Sequence, residues 1–85
     1  MSNLKVEIVA PTGFLFQGEC ALVVVPSAVG DVGIMHGHEA IAATLRKESQ
    51  IALYDEKQNL LKSFEVKNGG FANMQDADLL MILVD

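Results

Sequence analysis

The sequence holds one cysteine and few basic residues, six lysines and arginines against eleven aspartates and glutamates, for a net charge of −5. A lone thiol excludes an intramolecular disulfide. Cys20, between Glu19 and Ala21 at the head of an apolar run, reads as a small buried hydrophobe. The shortage of positive charge disfavours nucleic acid and anionic membrane as partners, because phosphate backbones are repelled rather than stripped of their counterions. Long hydrophobic runs are also missing. The longest, Ala21 to Pro26 and Leu79 to Val84, fall far short of the roughly 18 residues of a spanning helix. The opening Met1-Ser2-Asn3-Leu4-Lys5 has no basic region leading into an apolar stretch, so a soluble protein without a targeting segment is expected. There is no internal repeat and no low-complexity tract.

What the chain does have is apolar content: 51% of its 85 residues are hydrophobic and only 20% are charged. Ordinary globular chains carry roughly 45–50% and roughly 25%, so disorder is excluded and a partly apolar surface is expected. The length suits one domain.

The hydrophobic pattern is that of short strands. Leu4, Val6 and Ile8 alternate with Lys5 and Glu7 before Pro11 and Gly13, the period of a half-buried strand. Phe14 to Phe16 and Cys20 to Val25 read as two strands, or as one broken by a bulge. From Ser27 to Glu39 the glycines Gly30, Gly33 and Gly37 interrupt the pattern. They predict a structured loop with a very short strand around Val32 to Met35. Ala40 to Leu45 is ambiguous, alanine-rich enough for a helix yet of strand length. Ile51 to Leu53 and Leu60 to Val66 flank Asp55-Glu56-Lys57-Gln58-Asn59 as a hairpin. Asn68-Gly69-Gly70 and Gln75-Asp76-Ala77-Asp78 supply two more turns around Phe71 to Met74, with Leu79 to Val84 last. Eight to ten short strands predict an all-β sandwich or barrel.

Ala21 to Val25, Ile41 to Ala43 and Leu79 to Val84 are apolar at successive positions, so they are apolar on both faces, whereas one small core covers a single face of each strand. A partner is expected over part of the second face. At about 25 cal/mol per Å², a patch of a few hundred Å² contributes several kcal/mol to association.

Chemistry-bearing groups are sparse. His36-Gly37-His38-Glu39 places two imidazoles and a carboxylate within four residues, but a zinc site wants three or four ligands and there is no further histidine. Gly30-x-x-Gly33 lacks the helix and Lys-Ser/Thr of a phosphate loop. Lys57 sits at a hairpin tip, the display position of a carrier-domain lysine, without the flanking residues of one. No serine or cysteine lies in a nucleophile elbow or beside a histidine in sequence. Two minor alternatives therefore stand next to a protein-binding role: a metal-binding domain on His36, His38 and Glu39, and a carrier domain modified on Lys57.

The stretch Gly30-Asp31-Val32-Gly33-Ile34-Met35-His36-Gly37-His38 resembles the signature Gly-acidic-x-Gly-Ile-x-Pro-Gly-His of the epsilon subunit of rotary ATP synthases. Leu4-x-Val6, Pro11-x-Gly13, Phe16-x-Gly18-Glu19, Val24-Val25-Pro26 and Gly69-Gly70-Phe71 extend the resemblance over essentially the whole chain. It implies a flattened antiparallel β-sandwich of about ten short strands over residues 1–85, with Ala40 to Leu45 as a strand and without the helical hairpin that usually follows in the family. It also implies a non-catalytic, cofactor-free rotor subunit of the central stalk, peripheral on the cytoplasmic face of a bacterial inner membrane. Its partners would be the gamma subunit, through His38, Ile41, Ala42 and Ala43, and the polar loops of the c-ring, through Asp31, Val32, Gly33 and Ile34. His36 departs from the pattern. It stands where the family usually has proline, which gives up a fixed φ and adds a titratable group.

Overall fold

The computed structural model describes residues 3–74 and 76–85. These residues form nine strands: β1 (Leu4–Ala10), β2 (Gly13–Cys20), β3 (Leu22–Ser27), β4 (Gly30–Met35), β5 (Ile41–Leu45), β6 (Ser49–Tyr54), β7 (Leu60–Val66), β8 (Gly70–Met74) and β9 (Leu79–Val84). They hydrogen-bond in the order β2-β1-β9-β8-β5-β3-β6-β7, with β4 on the free side of β3. β5 and β3 share only the register pair Ser27 and Leu45. That contact is a corner, at which the sheet folds over on itself into two layers. On the far side the edge strands meet through Phe16 and Phe64, whose ring centroids lie 5.8 Å apart. The Lys62 ammonium caps both rings.

The alternation expected of β1 is present, with Leu4, Val6 and Ile8 fully buried. They meet Val23 and Val25 of β3, Ile34 of β4, Ile51 and Leu53 of β6, and Leu80 and Ile82 of β9 in one core. The all-β sandwich expected from the strand pattern is therefore observed, with nine strands among the described residues against the ten implied by the resemblance. One pairing departs from the antiparallel expectation: β1 and β9 run parallel, from Lys5 beside Leu79 to Val9 beside Leu83. The hairpin of β6 and β7 is as expected, from Ser49 opposite Val66 to Tyr54 opposite Leu60.

One ambiguity is resolved and one local expectation is corrected. Ala40 to Leu45 has helical composition, but Ile41 to Leu45 pairs residue for residue with β8, the strand that the resemblance implied, since tertiary pairing overrides a weak local preference. Within the glycine-rich stretch the strand is longer than the very short one expected around Val32 to Met35. Gly30 to Met35 lies along the whole of β3, from Ser27 opposite Gly30 to Leu22 opposite Met35. Gly30 takes the positive φ of 138° that ends the turn, and Gly33 faces outward opposite Val24. Val32 and Ile34 turn inward on either side of Gly33 and continue the strand period.

Two predictions follow from this packing. A Cβ at Gly70 would overlap the Leu83 carbonyl oxygen and stand 3.1 Å from the Val84 Cα, and paired backbone cannot yield as a flexible side chain does. Gly70→Ala is expected to lower unfolding free energy by about 1–3 kcal/mol, read by urea titration. At the β6–β7 turn, Asp55 Oδ1 accepts the amide protons of Lys57 and Asn59, each at 2.9 Å. These bonds, Asn59 first, hold the Asp55 carboxyl below its ordinary 3.8. A depressed folded value means that the turn is fully supported above the ordinary value and loses that support as pH falls through the folded one. The Lys57 and Asn59 amide resonances are expected to keep their positions at neutral pH and to move below about pH 4, a step that Asp55→Asn abolishes.

Candidate functional site

The residues singled out in the sequence fall at two ends of the sandwich, because β4 is a strand. At roughly 3.3 Å per residue, its six residues hold Gly30 and Met35 roughly 16 Å apart, so Asp31 and His38 belong to separate surfaces.

At the first end, Ser27 to Gly30 forms a turn tied together by one hydroxyl. Ser27 is only 3% exposed. Its Oγ donates to the Gly30 carbonyl at 2.6 Å and accepts the Val29 amide proton at 3.3 Å. The Ala28 amide donates to the Thr44 carbonyl of β5, which fastens the turn to the opposite layer. Its apex, Val29, is 97% exposed. Asp31 follows on the outer side, exposed, with its Oδ1 accepting a bond from Arg46 Nη2 at 2.8 Å. Of its neighbours in the predicted set, Val32 is half-buried against the core, Gly33 is exposed and Ile34 is fully buried. Only Asp31 and Gly33 are open to a partner; Val32 and Ile34 anchor the strand beneath them.

At the second end, the loop after β4 is clasped to the turn between β8 and β9. His36 Nε2 donates to Asp78 Oδ1 at 2.6 Å, and the Gly37 amide donates to the Ala77 carbonyl at 3.0 Å. His38 Nδ1 donates to the neighbouring Glu39 carbonyl at 2.8 Å. The two imidazoles are thus committed to different acceptors and do not converge with Glu39. Among the described residues, no group of three or more histidine, cysteine or acidic side chains is arranged to hold a metal ion. His36 thus fixes its loop by a bond across the fold. Lys57 lies exposed in its turn, and burial pushes the Cys20 thiol up, away from the thiolate that nucleophilic chemistry requires.

From this clasp β5 sets out along the outer layer. Ile41 and Ala43 lie opposite Met74 and Ala72 on its core side and are half-buried, while Ala42 faces outward, exposed, opposite Asn73. Asn73 in turn pairs with Met81, and Phe71 pairs with Leu83. Phe71, Met81 and Leu83 are 42%, 40% and 49% exposed, so the second face of β9 foreseen as apolar is uncovered and forms a strip that ends at Ala42. The second face of β3 is instead half-covered by its own neighbours, Leu22 lying between Tyr54 and Met35 in register.

Arg46 and Asp78 were not foreseen from the sequence. No spacing rule links Arg46 to an aspartate 15 positions before it, or Asp78 to a histidine 42 positions away. Asp78→Ala is expected to speed hydrogen exchange of the Gly37 amide several-fold while costing only about 0.2–1 kcal/mol of global stability, as for an exposed pair; exchange mass spectrometry and urea titration read the two.

Comparison with known proteins agrees with this architecture. Residues 3–85 match the family described as the ATP synthase delta/epsilon chain, β-sandwich domain. The ATP synthase epsilon chain of Parvibaculum lavamentivorans is 33% identical over 80 residues, which cover 94% of this chain and 58% of that protein. That of Caulobacter vibrioides is 34% identical over 82 residues, 96% of this chain and 91% of that protein. This chain thus spans little more than half of the first relative and nearly all of the second. Among solved structures, a chain of the Euglena gracilis mitochondrial ATP synthase, from a complex of OSCP, F1 and c-ring, superposes with a TM-score of 0.84 at 19% identity, over 99% of this chain and 51% of its own. A chain of the Tetrahymena thermophila mitochondrial ATP synthase central stalk and c-ring does so at 0.74 and 14%, over 95% and 62%. At such identities the superpositions establish the fold. With the strand order, the Gly30 to His38 segment and the match across residues 3–85 taken together, this chain belongs to the delta/epsilon family of ATP synthase subunits as a β-sandwich domain.

Proposed function

We propose that this domain is a non-catalytic rotor component of the central stalk of a proton-translocating ATP synthase, coupling ring rotation to ATP synthesis performed elsewhere in the complex. It works as a peripheral subunit on the cytoplasmic face of a bacterial inner membrane. The gamma subunit binds along His38, Ile41, Ala42 and Ala43, and the polar loops of the c-ring meet the opposite end at Asp31 and Gly33, with Val32 and Ile34 holding that strand in place. Family membership supports the assignment, and so do relatives named as epsilon chains.

The observation that carries it is the uncovered strip Phe71, Met81 and Leu83, continuous through Asn73 with Ala42. An apolar sheet face of this kind suits a protein shaft far better than a polar ligand. Commitment of both histidines to structural acceptors favours a role in binding over one in catalysis or metal coordination.

Ala42 and Met81 are the informative positions, since both face outward, whereas a charge at Ile41 or Ala43 would also disturb the core. Ala42→Asp and Met81→Asp are each expected to weaken binding to the gamma subunit by at least about tenfold, or about 1.4 kcal/mol, with little change in melting temperature. Undiminished binding by both variants in a pull-down titration would overturn the interface.

A further inference from the structure

Arg46 ties the Asp31 end together through its backbone and its side chain alike. Its amide donates to the Pro26 carbonyl at 2.8 Å, its Nη1 donates to the Ser27 carbonyl at 2.8 Å and its Nη2 donates to Asp31 Oδ1 at 2.8 Å. Ser49 Oγ donates in turn to the Arg46 carbonyl at 2.7 Å. One residue at the end of β5 thus grips both arms of the β3–β4 hairpin. It does so just beyond the corner where β3 and β5 share only one register pair. A guanidinium suits this task because its planar fork presents donors in fixed directions, which an ammonium cannot reproduce.

The same contacts fix Asp31. Its Oδ1 is occupied by Arg46, and its Oδ2 has no partner among the described residues. The side chain is exposed at 62%, so without Arg46 it would sample several rotamers. With it, one oxygen is presented outward from a held carboxylate.

We propose that Arg46 is the positioning residue for Asp31, orienting its free oxygen toward a basic group on the ring loops. This rests on the reading of Asp31 as ring-facing. The pair has a second possible consequence of opposite sign. Arg46 also neutralises the carboxylate, so its removal would strengthen attraction to a basic partner if charge alone mattered. Positioning predicts weaker docking on loss of Arg46, and charge competition predicts tighter docking.

The test is a double-mutant cycle on the full chain bound to gamma, titrated against the detergent-solubilised c-ring of its own synthase, with melting temperature measured for each variant. Asp31→Ala is expected to weaken ring binding at least about fivefold and Arg46→Gln at least about threefold. In the Asp31→Ala background, Arg46→Gln should then change affinity by less than about twofold, since the two groups act as one unit. Arg46→Lys, which keeps the charge and loses the fork, should resemble Arg46→Gln more than the parent. If Asp31→Ala leaves ring affinity unchanged, the ring-facing reading fails and the proposal falls with it. If Asp31→Ala weakens binding but Arg46→Gln leaves it unchanged or tightens it, the reading stands and positioning is overturned. Equal losses from Arg46→Gln in both backgrounds would make Arg46 a general support of the hairpin, which also overturns it.

Discussion

A sandwich of this size has one interior, and each strand can turn only one of its faces into it. That constraint governs the whole molecule. Leu4, Val6 and Ile8 of β1 meet Leu80 and Ile82 of β9 inside, so Met81 and Leu83, the next residues along, must point out. The apolar character of those outward positions has no use in the monomer's own core. It leaves an exposed apolar sheet surface, which Phe71 enlarges because register places it beside Leu83 and which Ala42 extends one strand further, opposite Asn73. The core and the bare apolar face are two sides of one period.

The period-two signal makes much of the fold legible in the sequence alone. β1 and the hairpin of β6 and β7 were readable because alternating apolar residues and a polar break of turn length act locally. The surplus on β9 was readable for the same reason. Strand β4 was legible only around Val32 to Met35, because Gly30 and Gly33 carry no hydrophobic signal, and its full length is imposed by pairing with β3. Strand β5 was ambiguous, because its alanines favour a helix until β8 lies beside them. In the candidate site, Asp31 and the Gly37-His38 segment were found from a motif, but their partners Arg46 and Asp78 were not. Contacts between residues 15 and 42 positions apart are products of the completed topology, and no local rule encodes them.

The two ends of the sandwich are built on different principles. The Asp31 end is held by directed bonds from one serine hydroxyl and one guanidinium, which fix geometry with little apolar area. The His38 end is held by a clasp between two loops and opens onto the bare apolar strip. The domain thus carries two kinds of surface, and β4 keeps them apart by its own length.

The parallel pairing of β1 with β9 also sets when the molecule can fold. β1 acquires its hairpin partner β2 at once, but its other edge stays open until Leu79 to Val84 has been synthesised. At roughly 5–20 residues per second, that leaves Val6 and Ile8 without their central neighbour for on the order of seconds to tens of seconds. Closure of this sheet therefore waits for β9 to be made and is slow by topology. During that interval the nascent chain exposes an unpaired apolar strand edge, the kind of surface that chaperones guard.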